Sequence, residues 1–371
     1  MKISIERNSF LNSLSHVQNI VEKRNTIPIL SNILIDAHSN NLILSATDMD
    51  VSVTEAINCN VIEQGSVTTP AHTLYDIVRK IPEGNEIELI SNDGNKLSFR
   101  SGKSKFSLSC LPKDDFPKIE ELDLKNEFTI NSKELIKIID KTKFAISTEE
   151  TRYYLNGIYL HVGEKDNKKI LVSVATDGHR LAKVETDLPE GAENLSGVII
   201  PKKTINEVRK LIDEQNNDIR VALNENKIVF YINNVILSSK LIDGSFPEYE
   251  KVIPKNNDKT LEINTNQIYE AIDRVSTVSD VKSNSIKLSI MDNIISISSN
   301  NSETGSGAED INIDYVGEKI EIGFNAKYLL EILSQIDSEK LNFKLLDSSS
   351  PTIITDSEDN HSIYVLMPMR V

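Results

Sequence analysis

Three stretches decide the fold: ISIERNSFLNSL (Ile3–Leu14), FTINSKELIKII (Phe128–Ile139) and LEINTNQIYEAI (Leu261–Ile272). Each reads as a short alternating strand running into an amphipathic helix. Ile5, Ile130 and Ile263 occupy one place in the pattern; Phe10, Leu135 and Ile268 share a second, and Leu14, Ile139 and Ile272 a third. The last two sets are four residues apart, on one helical face. A second helix recurs as HTLYDIVRK (His72–Lys80), KTINEVRKL (Lys203–Leu211) and AKYLLEIL (Ala326–Leu333), matching Leu74 with Ile205 and Leu329, and Ile77 with Val208 and Ile332. Ala46-Thr47-Asp48 also matches Ala175-Thr176-Asp177, and Phe116-Pro117 matches Phe246-Pro247. The offsets, 124 to 133 residues, exceed any solenoid period, so each copy is a domain. Strand-rich segments such as NLILSATDMDVSV, KKILVSVATDG, NKIVFYI and NIISISS fill the gaps, punctuated by Asn-Asn and Asp-Gly turns. Each copy thus reads as strand, helix, three strands, helix and three or more strands, an α+β unit with antiparallel sheets.

The chain has 371 residues, enough for two or three domains, with 41 Lys+Arg against 56 Asp+Glu and a formal charge of -15. No apolar run approaches the ~18 residues of a membrane helix. MKISIERNSF meets charge at Glu6 and Arg7 before a signal-peptide core could form, and Cys59 and Cys110 are too few for a disulfide framework or a cysteine-rich zinc site. A cytoplasmic chain is expected. The six repeat helices, taken as 8–20, 72–80, 132–144, 201–211, 265–275 and 326–336, carry +5 together, which leaves -20 for the remainder. An acidic chain with non-acidic helices could follow a phosphate backbone along its helices and repel stray DNA elsewhere.

RYYLNG (Arg152–Gly157), ATDGHRLA (Ala175–Ala182), DGSFPEY (Asp243–Tyr249), IGFNAKYL (Ile322–Leu329) and YVLMPMR (Tyr364–Arg370), with RSGKSKFSLSCLPKDDFP (Arg100–Pro117), stand in an order that resembles the bacterial β sliding clamps, the processivity subunits of DNA polymerase III. The resemblance covers the whole chain. It implies three DNA-clamp domains, 1–125, 126–254 and 255–371, each with two helices packed on antiparallel sheets. Two chains would dimerise head to tail into a ring around duplex DNA, bound without sequence preference. The implied partners are the polymerase III catalytic subunit, a clamp loader, and other polymerases and repair proteins that dock a short peptide. Neither cofactor nor metal is implied.

The resemblance also places three sites. The peptide groove would comprise Leu155, Thr176, Gly178, His179, Arg180, Leu181, Pro247, Lys251 and Val252, with Val365, Leu366, Met367, Pro368, Met369 and Arg370. The two thioethers suit several partners, and Lys251 stands where the family usually has Arg, replacing a bidentate contact with a point charge. DNA would meet Arg24, Tyr153 and Tyr154, with Lys137, Lys141, Lys202 and Arg209 as helix-borne candidates. His72 and Glu149 replace a basic residue and Gln that the family often carries there. Ring closure needs two complementary ends. Lys103, Lys105, Phe106 and Leu108 on an edge strand would meet Thr277, Val278, Glu303, Glu309 and Asp310.

Chemistry is weakly signalled. Asp177 and His179 could form an acid–base pair activating Ser173, a hydrolase reading, but adjacent turn residues rarely face each other. A partner-recruitment hub with little DNA tethering is the other alternative. Gly102-Lys103-Ser104 lacks the earlier glycine of a phosphate loop, since Leu97 stands there. Gly305-Ser306-Gly307 reads as a flexible turn.

Overall fold

The computed structural model describes residues 1–22, 26–92, 95–119, 126–212 and 217–370. The first copy of the repeat runs β1 (Lys2–Glu6), α1 (Arg7–Gln18), β2 (Asn32–His38), β3 (Asn41–Thr47), β4 (Val51–Asn58), β5 (Asn60–Glu63), β6 (Gly65–Pro70), α2 (Ala71–Lys80), β7 (Glu86–Ile90), β8 (Lys96–Ser101) and β9 (Ser104–Ser109). The second runs β10 (Asn126–Asn131), α3 (Ser132–Asp140), β11 (Gly157–Lys165), β12 (Lys168–Thr176), β13 (Arg180–Asp187), β14 (Val198–Pro201), α4 (Lys202–Leu211), β15 (Asp218–Leu223), β16 (Lys227–Ile232) and β17 (Val235–Lys240). The third runs β18 (Lys259–Asn264), α5 (Thr265–Ser276), β19 (Ser285–Met291), β20 (Ile294–Asn301), β21 (Gly305–Asn312), β22 (Ile320–Asn325), α6 (Ala326–Leu333), β23 (Lys340–Leu345), β24 (Thr352–Asp356) and β25 (Ser362–Leu366).

All six helices fall where the pattern puts them, though α3 stops at Asp140 and α6 at Leu333, short of the expected 144 and 336. The count of strands between the helices needs correction. Among the described residues, a further strand, β6, β14 or β22, runs directly into the second helix of each copy, and the first copy adds β5, so five, four and four strands separate the helices rather than three. Residues 305–307 are likewise strand rather than turn, because Gly305 to Asn312 pair with Ile294 to Asn301.

Two compact units form. Residues 1–133, 189–194 and 203–241 make one; 134–188, 195–202 and 242–371 make the other. In the first unit, one sheet has the order β5-β1-β7-β8-β9 and a second the order β10-β15-β16-β17-β4-β3-β2-β6. The second sheet is continuous because β17 pairs with β4, joining strands from successive copies. The second unit repeats this arrangement. β25 pairs with β13 within the order β14-β11-β12-β13-β25-β24-β23-β18, and a smaller sheet runs β21-β20-β19-β22.

The helices bury the faces that their spacing marks: Phe10, Leu14 and Val17 on α1, Ile268, Ile272 and Val275 on α5, and Leu329, Ile332 and Leu333 on α6. Burying each such side chain contributes roughly 1.5–3 kcal/mol, which is why the apolar stripe outweighs the middling helix propensity of these Asn- and Ser-containing segments. Glu6, Asn264 and Asn325 cap their helices by accepting from the backbone N–H three residues on. No helix among the described residues is long and apolar enough to cross a membrane.

Candidate functional site

The segment joining β12 to β13 is organised by Thr176 and Asp177. Thr176 Oγ1 donates to the Arg180 carbonyl at 2.7 Å and accepts from the Gly178 N–H at 3.1 Å. Asp177 Oδ1 accepts from the backbone N–H groups of His179 and Arg180 at 2.9 and 3.0 Å. The turn forces Gly178 to φ +88°, and a Cβ there would stand 2.5 Å from Arg152 Nη1. Glycine is required on both counts.

Arg180 is 7% exposed at its side chain and is held on every side. Nε donates to Asp177 Oδ2 at 3.2 Å, Nη2 to the Phe144 carbonyl at 2.6 Å, and Nη1 to Glu331. Its guanidinium lies 4.4 Å from the centroid of the Tyr328 ring. Arg180 therefore fixes the shape of the turn, with its donors engaged within its own unit. The His179 ring runs nearly parallel to Tyr328, at 6.2 Å and 23°.

This geometry gives the hydrolase reading nothing to work with. The Asp177 carboxylate is engaged by backbone and Arg180, and Ser173 is fully buried, 3.4 Å from Thr142 Oγ1. No nucleophile–base–orienter chain exists here.

The C-terminal residues run beside the turn. The Met367 N–H donates to the His179 carbonyl at 2.9 Å, and the Met369 N–H to the Gly323 carbonyl at 2.8 Å. Leu181 and Val365 are paired in register and buried in a cluster with Val172, Val174 and Tyr249. Behind it Tyr159 stacks on Phe246 at 4.8 Å and 8°, and Tyr249 bonds His161 at 2.9 Å. Leu155 and Leu366 are buried as well, whereas Met367 and Val252 are 41% and 52% exposed. Pro247, His179 and Arg370 are exposed, and Pro368 and Met369 half-buried. Lys251 is paired with Glu248, and both are exposed. The sequence thus contributes an apolar floor that is already packed and a smaller set of accessible groups above it.

The residues named for DNA divide. Arg24 lies outside the described residues. Tyr153, 54% exposed, packs edge-on against Tyr154 at 5.8 Å in a 3-10 turn, Glu150–Leu155. Arg152 beside them is held bidentately by Glu149 at 2.9 and 2.7 Å. Lys137 pairs with Asp359 at 3.3 Å. Lys141 is buried, pairs with Asp337 at 2.8 Å and donates to the Gln335 carbonyl at 3.0 Å. Those partners lie nearly two hundred residues away along the chain, so nothing local announces them. Lys202 and Arg209 lie half-buried on α4. His72 bridges helices, its ring nitrogens 2.9 Å from Gln18 Oε1 and from the Val21 carbonyl.

The residues named for ring closure lie on or beside two strands that end their sheets among the described residues. β9 ends one sheet and β21 ends another. On β9, Lys105 is exposed, Phe106 is 41% exposed with its ring edge-on to Phe99 at 5.7 Å, and Leu108 is buried; Lys103 is in the turn before it. Beside β21, Thr277 caps α5 and Val278 packs within 3.2 Å of the Cβ position of Gly307. Glu303 and Asp310 are exposed. Glu309 is held bidentately by Arg274 at 3.0 and 2.7 Å, an intrachain pairing that its sequence neighbours did not signal.

Sequence models of the DNA polymerase III beta subunit match along the chain: the N-terminal domain over residues 1–120, the central domain over 129–248 and the C-terminal domain over 250–370. The chain belongs to the DNA polymerase III beta subunit family. The beta sliding clamp of Caulobacter vibrioides is 45% identical over 372 residues, covering all of both chains. That of Escherichia coli is 35% identical with the same coverage. The crystal structure of the sliding clamp of Bartonella birtlesii bound to griselimycin superposes with a TM-score of 0.97 at 45% identity, again over all of both chains. The sliding-clamp family assigns the three-domain α+β fold and a non-catalytic role in DNA replication: a processivity factor for DNA polymerase III.

Proposed function

We propose that two copies of this chain close head to tail into a cytoplasmic ring around duplex DNA, each copy divided into domains near residues 125 and 254. The observation that carries this reading is the complementary lining of two strands that end their sheets among the described residues, β9 and β21. An unpaired edge strand presents a row of N–H and C=O groups that a partner strand can satisfy. β9 offers Lys105 and Phe106, and β21 offers Asp310 with Val278 close by, so the two ends differ in charge as a head-to-tail contact requires. Thr277 and Val278 stand where larger aliphatics are common in the family, and each missing methylene forfeits ~0.8 kcal/mol of burial. A looser ring follows.

DNA contact is proposed through Arg24, Tyr153, Tyr154, Lys137, Lys202 and Arg209, with Lys141 acting from the interior as a strut. Affinity is weak and salt-dependent; topology retains the ring. Peptides of the Gln-Leu-x-Leu-Phe kind, from polymerase, loader and repair proteins, are proposed to dock over Leu181 and Val365 between Met367, Val252 and Pro247. The test is loader-dependent retention of labelled protein on nicked circular DNA. Retention on the circle with rapid loss after one linearising cut is the expected result. Equal retention on circle and line overturns encirclement. Phe106→Ala raises the monomer fraction in sedimentation if β9 is a closing edge, and an unchanged profile removes it from the interface.

A further inference from the structure

The sheet that joins the first and second copies carries a groove apart from the residues named for peptide, DNA and ring closure. Its floor is a row of registered side chains: Leu34 faces Ser45, Ser45 faces Thr54, Thr54 faces Ile236, and Ile236 faces Tyr231. Directly paired residues share a sheet face. The neighbouring Glu55 accepts from Ser13 of α1 at 2.7 Å, so Thr54 and its row point away from that helix. The wall is the segment from Lys113 to Ile119, anchored by Phe116 in a cluster with Ile29 and Leu30. The hollow measures about 1010 Å³ and continues along the same wall into a smaller one of about 230 Å³ beside Met49.

Ile119, Ile236 and Met49 are 39%, 43% and 53% exposed. Three such side chains along one groove form a patch, unlike apolar residues scattered singly. The floor is also braced: the Arg220 guanidinium lies 3.6 Å from the centroid of the Tyr231 ring. In a chain of net charge -15, the lining has four lysines, at 113, 118, 227 and 240, against Asp50 and Asp114. Asp50 answers Lys240 at 3.0 Å and Lys227 is itself engaged, which leaves Lys113 and Lys118 against Asp114 in the lining, a positive surplus.

We propose that this groove is a second peptide-docking site, which takes an extended segment with two or three apolar side chains flanked by acidic residues. Thr54 and Ser238, both half-buried, let a backbone approach closely and offer hydroxyls; Ile119, Ile236 and Met49 receive the apolar side chains; Lys113 and Lys118 on the wall meet the carboxylates. The site shares no residue with the groove at Met367.

The two sites are read separately through the methionines, because Met49 lines this groove while Met367 and Met369 flank the other. The probe is the peptide Asp-Glu-Leu-Ser-Leu-Phe-Asp-Glu, titrated into full-length protein carrying 13C-methyl methionine. The Met49 methyl signal shifts saturably. Ile236→Glu, at an exposed strand position, weakens that transition about tenfold and leaves the Met367 response intact. Lys118→Glu weakens it too, and a peptide with Lys in place of its acids binds more weakly. A static Met49 signal overturns the proposal, as does indifference to Ile236→Glu and Lys118→Glu or equal binding of the lysine peptide. Movement at Met49 with none at Met367 and Met369 supports this site and removes the other.

Discussion

The two places where successive copies of the repeat share a sheet are built on the same turn and finished differently. At the β3–β4 corner, Thr47 Oγ1 donates to the Val51 carbonyl at 3.0 Å and accepts from the Met49 N–H at 3.0 Å. Asp48 Oδ1 accepts from Asp50 and Val51 N–H at 2.9 and 2.7 Å. Thr176 and Asp177 do the same at the β12–β13 corner, bond for bond. Beyond the turn they diverge. The rung after the β12–β13 corner is Leu181 and Val365, packed with Phe246 and Tyr249. Its counterpart is Ser52 and Ser238, with only Phe116 among the matched aromatics nearby. One junction is packed shut beneath a few exposed groups; the other sets hydroxyls among apolar side chains in its floor and keeps an open hollow. A Thr-Asp turn therefore fixes backbone geometry, while the residues two and five positions further on decide what the surface can hold.

The sharpest break in this comparison comes from truncating the equivalent rung. Leu181→Ala removes a buried side chain from a stacked aromatic surround that cannot collapse easily, and costs roughly 2–5 kcal/mol. Ser52→Ala, half-exposed on its sheet, changes stability by less than about 0.5 kcal/mol. Urea unfolding of the two variants measures both, and similar losses would mean that the junctions are packed alike.

Removing the turn aspartates gives a smaller contrast. Asp177→Ala strips one partner from the buried Arg180 as well as the turn bonds, a loss of ~3 kcal/mol. Asp48→Ala strips the turn bonds and leaves Lys203, whose side chain is 34% exposed, with only Glu22 and the Ile20 carbonyl, for ~1–2 kcal/mol. Burial disfavours the Lys203 ammonium, but Asp48 and then Glu22 outweigh it and hold its pKa above the ordinary lysine value of 10.5. A raised folded-state pKa stabilises fully below the unfolded value and is lost as pH rises through the folded one. The stability gap between wild type and Asp48→Asn therefore persists from neutral pH to about 10.5 and narrows above it. A gap that widens with alkali would mean that Lys203 does not pair with Asp48.

Much of this was legible because it rests on short-range patterns. The apolar spacing of Phe10 and Leu14 located helices, and Ala-Thr-Asp twice over located the turns, since Asp bonds its own following backbone wherever it stands. What the chain does not spell out is pairing across copies. Nothing in VSVTEAIN announces that Val53 will face Leu237, or in RLAKVETD that Leu181 will face Val365. The same distance hid the partners of Lys141, which looked like a helix-surface lysine and is a buried strut. Arg180 likewise looked available to a ligand, because Phe144 and Glu331 come from remote segments. Charges counted along a helix say where lysines are; whether they are free depends on acids brought in by the tertiary fold.

The finest test exchanges the turn residues themselves. Met49 adopts φ +78°, close to the +88° of Gly178, although a side chain at positive φ carries a conformational penalty that glycine avoids. Met49→Gly relieves that penalty at an exposed site but loosens the unfolded chain, so the two effects nearly offset and stability moves by less than about 1 kcal/mol. Gly178→Met meets the same turn with a different surround, because its Cβ would stand 2.5 Å from Arg152 Nη1. Either the guanidinium swings off Glu149 or the turn opens. The expected loss is ~1–2 kcal/mol, the scale of a charge-assisted hydrogen bond with added backbone strain. Thermal melts of the reciprocal pair decide the matter. Equal and opposite shifts would make the turns interchangeable, whereas a larger loss at Gly178 shows that the shut junction is read through its neighbours and the open one through its own backbone.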